Sequence, residues 1–380
     1  MRPLAQHQNG SVAYALLFGL LGFGGYLAYA QGAASHARLE SMRAQHAAMA
    51  MAREALIARA VNDANRPGSL PCPAQRSASG PGDGRAELLS GQHCPSLIGR
   101  LPWSTLDIPQ PVDDNQNTLW YVIAPGLRDH RSASPINSDT PTGLSLNGKD
   151  DIAALIIRPG PPLPGQRRPS NDPADYLEAS LSHDNPRDFR SAPESNDSIL
   201  SISRSSLMAA VELRIAHRLR DCLNAHARQT GRYPWPAPLA AGIGEGFAGS
   251  RFGRVPTNQP AEGGEERPSG MFWASPACDF LTDENGWWHE GQWSESVFYQ
   301  FADPLRPDLA GLHIPGQTAR PLVVIVAGAR IGAQQRPGGD IADYLEGRNA
   351  APSRNGNAET PAHTFDMPQR RADHNDQIAY

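Results

Sequence analysis

Hydrophobic and polar positions follow three patterns along this chain. The first is an unbroken apolar block: Ser11–Ala30, SVAYALLFGLLGFGGYLAYA, carries no charge in twenty residues. That length suits a helix crossing ~30 Å of hydrocarbon, so the block predicts a membrane span. The second pattern is a helical stripe. Ala33–Ala64 has neither proline nor glycine and places Leu39, Met42, Met49 and Leu56 at spacings of three and seven. Such spacing puts them on one face of a helix, and Asn65–Gly68, NRPG, stops it. Span and stripe together predict one helix of roughly fifty residues. A second stripe, Leu207, Val211, Ile215, Leu219 and Leu223, predicts a helix over Ser205–Thr230, with Ser205 or Ser206 as N-cap and Gly231 as C-cap. The third pattern is short runs of β-branched and aromatic residues: 118–124, 153–158, 296–302 and 321–328. Bounded by Gly, Pro, Asp and Asn, they predict strands.

These patterns occur twice. QRRPSNDPADYLE at Gln166–Glu178 returns as QQRPGGDIADYLE at Gln334–Glu346, identical at nine of thirteen positions and offset by 168 residues. GSLPCPA (68–74) matches GRYPWPA (231–237), GRLP (99–102) matches GRVP (253–256), and NDSIL (196–200) matches NDQIA (375–379). Each copy begins with a helix, so the chain reads as a tandem duplication. The expected organisation is a tail at 1–10, a span at 11–30, a first module at 31–203 and a second at 204–380. The fold class expected is α+β: a long N-terminal membrane-spanning and amphipathic helix, then two modules of helix plus small antiparallel sheet. Asp129–Thr142, Ser182–Asp197 and Gly347–His374 are polar and read as exposed connections.

Composition narrows the function. The chain has 380 residues with 36 Gly and 35 Pro, which indicates loop-rich structure. Its net charge is -5, so it has no basic excess to hold nucleic acid. An apolar core longer than the roughly 7–15 residues of a signal peptide favours a retained anchor over cleavage after Ala30. Either reading puts the bulk outside the cytoplasm, where the four cysteines can pair. Two bonds are expected, each within one copy: Cys72–Cys94 and Cys222–Cys278. Zinc on these cysteines lacks any CxxC or HxxxH companion spacing.

Other candidate chemistry is sparse. Acidic and Asn-rich turns at 81–88, 113–117 and 283–286 could supply oxygen ligands to calcium, but no EF-hand pattern is present and such clusters usually form turns. GIGEGFAG (242–249) follows no strand, so it reads as a loop and not a nucleotide site. No GxSxG, HExxH or P-loop occurs, and no small-molecule substrate is evident; the chain is not expected to be an enzyme. His217 and His226 are placed on or near the solvated face of the second helix. The tryptophans of the second copy, Trp273, Trp287, Trp288 and Trp293, are expected in the core, with a binding patch as the alternative. The sharpest motif is the repeated block. Its functional reading is a surface site using Arg168, Asp172, Asp175 and Glu178, matched by Arg336, Asp340, Asp343 and Glu346. Its structural reading pairs Arg with a carboxylate while Tyr176 or Tyr344 packs on the sheet. Recurrence favours the structural reading, because a fold signature must be written in every copy and a catalytic site need not be.

An apolar span running into a long helix ahead of a small sheet domain, with the series REALIARAVNDANRPGSLPCPA, GRLPWSTL and NTLWYVIA, resembles the type IV pilin and type II secretion pseudopilin family. The resemblance extends over both copies. It implies a single-pass inner-membrane protein with its C-terminal bulk in the periplasm, partnered by other pseudopilins or secretion-apparatus proteins and serving as a structural or accessory component. It also implies prepilin-type processing, for which Gly10 and Ser11 would flank the cut. The chain departs from the pattern there: pilins carry glutamate at the fifth mature position, and this chain has Ala15. That departure supports an alternative, a stand-alone envelope-anchored binding or adhesin-like protein.

Overall fold

The computed structural model describes residues 9–75, 83–111, 118–130, 135–178, 187–191, 195–239, 244–247, 249–257, 273, 275–283, 286–302, 311–350, 364–367 and 373–380, with side chains from Tyr29 onward except 30, 34, 37 and 38. Helix α1 spans Asn9–Asn62. Strands β1 (Ile98–Arg100), β2 (Trp120–Ile123), β4 (Ile152–Arg158) and β6 (Ser198–Ser203) form an antiparallel sheet in the order β1-β2-β4-β6. Helix α2 (Arg204–Thr230) follows directly. Strands β7 (Phe252–Arg254), β8 (Val297–Phe301), β9 (Leu322–Val326) and β10 (Gln377–Ala379) form a second antiparallel sheet ordered β7-β8-β9-β10 from one edge to the other. The two sheets therefore follow the same path. Short helices α3 (Trp287–Glu290) and α4 (Trp293–Ser296) precede β8.

Each sheet owes its core to β-branched and aromatic runs. Strand β4 (IAALIIR) and strand β9 (LVVIV) are buried along almost their full length, as central strands covered on both faces must be. Helix α2 buries Leu207, Val211, Ile215, Leu219 and Leu223, the stripe read from the sequence. Its N-cap is Ser203, two residues before Ser205 and three before Ser206; the Ser203 hydroxyl accepts from the Ser206 amide at 3.1 Å. Gly231 closes the helix at φ 80°, a left-handed conformation that glycine adopts without side-chain strain. Helix α1 buries Met49, Ala52, Leu56 and Ala60, whereas Leu39 and Met42, expected on the same face, are both 50% exposed.

The expected fold class needs correction. Among the described residues no helix is long and apolar enough to cross a membrane. From Tyr29 onward, where side chains are described, α1 carries Glu40, Arg43, Arg53, Glu54 and Arg59, which interrupt any apolar window in that part. The block Ser11–Ala30 lies within α1, but its side chains, apart from Tyr29, fall outside the described residues, as do those of Gly10 and Ser11 at the candidate cut. The fold is mixed α/β with three sheets among the described residues. The third is a parallel pair, β3 (Ser145–Leu146) with β5 (Asp188–Phe189), held by the fully buried Phe189. Strand β5 lies in a stretch read as exposed connection.

The copies pack on each other. The 135–142 loop, also read as exposed, buries Ile136, Ser138, Thr140 and Thr142. Ser138 bonds to Glu212, and Asn137 Nδ2 donates to the Gly291 carbonyl at 3.0 Å. Arg214 of α2 donates to the carbonyls of Val61 and Asp63 at the end of α1. Two disulfides complete the frame: Cys72–Cys94, separated by 22 residues, and Cys222–Cys278, separated by 56.

Candidate functional site

The repeated block folds into a clamp, once per copy. Its centre is a part-buried arginine. Arg336 Nε donates to the Asp343 carbonyl at 2.8 Å, Nη1 to the Gly328 carbonyl at 2.6 Å, and Nη2 to the Tyr344 carbonyl at 2.8 Å. Arg168 makes the same three bonds, to Asp175 at 2.6 Å, Gly160 at 2.6 Å and Tyr176 at 3.1 Å. A guanidinium suits this task because its donors form a rigid planar fork and never deprotonate. The following prolines, Pro169 and Pro337, both stand in cis peptide bonds. Asp172 and Asp340 are turn caps: their carboxylates accept from the amides of Ala174 at 3.0 Å and Ala342 at 2.9 Å. Asp175 and Asp343 accept from the amides of Arg167 at 2.9 Å and Gln335 at 3.2 Å. The Ser170 hydroxyl and then the Arg167 amide hold the Asp175 carboxyl below the ordinary range.

The tyrosines join this clamp to the sheet. Tyr176 lies between two guanidinium groups, Arg100 at 4.5 Å and Arg168 at 4.7 Å from its ring centre. Tyr344 lies between Arg254 at 5.0 Å and Arg336 at 5.2 Å. Arg100 and Arg254 come from the GRLP and GRVP motifs, which explains why those motifs recur. The glycine before each arginine lets the Pro-rich loop come close: a Cβ on Gly99 would stand 2.5 Å from the Ala74 carbonyl oxygen. Ala74 and Arg100 exchange backbone bonds at 2.8 and 3.0 Å, as Ala237 and Arg254 do at 3.0 and 2.8 Å. Tyr121 and Tyr299 donate to the carbonyls of Pro71 at 3.2 Å and Pro234 at 2.9 Å. The shared motifs thus form one continuous bonding network per copy.

A pair of carboxylates closes each clamp against its last strand. Glu178 Oε1 accepts from Gln166 at 2.8 Å and Oε2 from the Asn196 amide at 3.2 Å. Asp197 accepts from the amides of Gly160 at 3.1 Å and Glu178 at 3.0 Å. In the second copy, Glu346 accepts from Gln334 at 2.9 Å and the Asn375 amide at 3.1 Å. Asp376 Oδ2 accepts from the Glu346 amide and from Asn349, both at 3.0 Å. Asp376 is fully buried, and burial followed by the Glu346 charge raises its carboxyl well above the ordinary range. His374, at the position of Ser195, is buried beside this second pair.

The first pair makes a pH test. Burial, reinforced by the Glu178 charge against the opposing Glu178 amide bond, pushes the Asp197 carboxyl from 3.8 up to about 6. A carboxyl that binds its proton more tightly when folded contributes stability that is complete below pH 3.8 and is lost as pH rises through 6. Discounted for partial solvent access, the effect is about 1–2 kcal/mol. Urea denaturation of wild type and Asp197→Asn at pH 4.5 and pH 7 is expected to show a larger loss in wild type over that interval. Equal losses in both proteins would show that Asp197 does not carry the effect.

Sequence reasoning assigned the block's Arg, Asp, Tyr and Glu but missed Asn196 and Asn375, whose amides donate to the carbonyls of Pro161 and Ala329 at 2.8 Å each. It also missed Asp197 and Asp376. Their signal was available: NDSIL and NDQIA align between copies. His226, expected near solvent, is buried edge-on to Trp273 at 5.4 Å. Trp287, Trp288 and Trp293 are buried. Of the acidic turns weighed for calcium, 113–117 lies outside the described residues and the other two are described only in part. Comparison with known proteins finds no family model, no curated protein and no solved structure that matches this chain.

Proposed function

We propose that this protein is a non-catalytic structural component of an envelope assembly of the type II secretion or type IV pilus-like kind, working in the periplasm. One observation carries this reading: α1 leaves the body of the protein with apolar side chains uncovered. Tyr29 is 76% exposed and Leu39 and Met42 50% each, while Met49 is the first fully buried side chain among the described residues of α1. At 1.5 Å per residue, a 54-residue helix is about 80 Å long, far more than the two sheets need for support. The occupant we assign to this surface is the equivalent helix of neighbouring subunits. The repeated motifs are engaged in internal bonds, which suits a scaffold. The resemblance of the N-terminal pattern to pseudopilins supports the same reading. A stand-alone binding protein has one feature in its favour, an open polar cleft between the copies beside Asn137, Asp139, Gln292, Glu295 and Arg330.

The test is a full-length variant with Leu39→Asp and Met42→Asp. Both side chains lie off the core, so the thermal midpoint is expected to stay within about 2 °C of wild type. Secretion or pilus assembly in the native host is expected to fall to the level of a deletion strain. Full assembly with the charged helix would refute the proposal.

A further inference from the structure

The two copies differ at one chemically pointed position. In the first, the carboxylate pair is half-buried and Ser195 stands beside it; Ser195 Oγ lies 3.4 Å from Glu178 Oε2 and the Gly160 amide occupies Asp197 Oδ1. In the second, His374 replaces that serine, and Glu346, His374 and Asp376 are 9%, 8% and 0% exposed. Asp376 Oδ1 and His374 Nε2 are both buried with no hydrogen-bond partner among the described residues. The ligand atoms of the three side chains all lie within 4.8 Å of one another.

We propose that Glu346, His374 and Asp376 form a binding site for a divalent transition-metal ion of the Zn²⁺ type. Two carboxylates and an imidazole are a common ligand set for such an ion, and the mixed nitrogen and oxygen donors select it over calcium or magnesium. The ion resolves an electrostatic problem. Two carboxylates buried side by side need a compensating charge, and a +2 ion supplies it. The remaining contacts orient the ligands as supporting bonds do in metal sites. Gln334 and the Asn375 amide hold Glu346, while Asn349 and the Glu346 amide hold Asp376 by its other oxygen. Tetrahedral zinc keeps such ligand atoms about 3.4 Å apart, so modest side-chain rotations complete the site from the separations present. The ion would tie the turn after Tyr344 to the strand β10 that begins at Gln377. The first copy, with Ser195 and a saturated Asp197, lacks the third ligand and two free donor atoms, and serves as an internal control. This inference does not depend on the assembly role.

The experiment uses the full-length protein without an affinity tag, stripped with a chelator and titrated with Zn²⁺ by calorimetry. One equivalent is expected to bind and, at 100-fold excess over Kd, to raise the thermal midpoint by about 3 °C. His374→Ser, which writes the first copy's residue into the second, is expected to weaken binding about 100-fold. No binding up to about 1 mM Zn²⁺ would overturn the site. Unchanged binding by His374→Ser would also overturn it. If that variant fails to fold, X-ray absorption on the Zn²⁺-loaded wild type decides. One imidazole among nitrogen and oxygen ligands supports the site; none, or more than one, refutes it.

Discussion

Arg336→Ala is expected to destabilise the protein by about 3–5 kcal/mol. The side chain is 7% exposed, and its loss strands three carbonyls, those of Gly328, Asp343 and Tyr344, inside the clamp. It also removes an ion pair to Asp139 at 3.3 Å, which comes from the other copy. Arg336→Lys is expected to rescue little, because one ammonium cannot serve three carbonyls in a plane. The repeat supplies its own comparison. Arg168 makes the same carbonyl bonds, and among the described residues no carboxylate of the second copy pairs with it, so Arg168→Ala is expected to cost less. Urea unfolding of the three variants checks the order. A loss of under about 1 kcal/mol for Arg336→Ala, the size of an ordinary surface change, would show that the clamp does not hold the fold.

The second large effect belongs to the disulfide between α2 and the turn at Pro276–Leu281. Cys222 and Cys278 are both fully buried and the bond closes 56 residues. Chain-entropy reasoning gives about 4 kcal/mol for a loop of this length and about 3 kcal/mol for the 22-residue Cys72–Cys94 loop. The double variant Cys222→Ala with Cys278→Ala is therefore expected to lose more stability than Cys72→Ala with Cys94→Ala. Under native conditions dithiothreitol is expected to open Cys72–Cys94 first, since those cysteines are 6% and 7% exposed while the other two are at 0%. Thiol labelling and mass spectrometry read the order, and simultaneous opening would contradict it.

Much of this arrangement was legible because the chain states it twice. Nine identities in thirteen residues marked the clamp, and recurrence argued for structure over catalysis. Helix α2 was legible from its stripe and glycine stop, although its cap fell two to three residues earlier because Ser203 also ends β6. The span expected over Ser11–Ala30 is not supported by any described helix. The exposed faces of α1 also escaped the reading: Leu39 and Met49 share a stripe, but the body of the protein reaches only as far as Met49. The polar loops misled for a different reason. Asp139, Phe189 and His374 lie in segments whose composition reads as exposed, yet Asp139 is half-buried and the other two are buried, each against partners distant in sequence. Asp139 meets Arg330 and Arg336, and His374 meets Glu346. Composition cannot report such pairings; the repeat could have flagged the last, since His374 breaks the match with Ser195.

The account rests most heavily on the uncovered length of α1 as a surface for neighbouring subunits. The most direct measurement places a photo-activated cross-linking residue at Leu39, at Met42 and, as a control, at Leu88, which is 88% exposed on the body of the protein, in the native host. Adducts with other helical subunits of the assembly or with a second copy, from positions 39 and 42 and not from 88, are what the account predicts. No adducts from the helix, or the same adducts from Leu88, would contradict it.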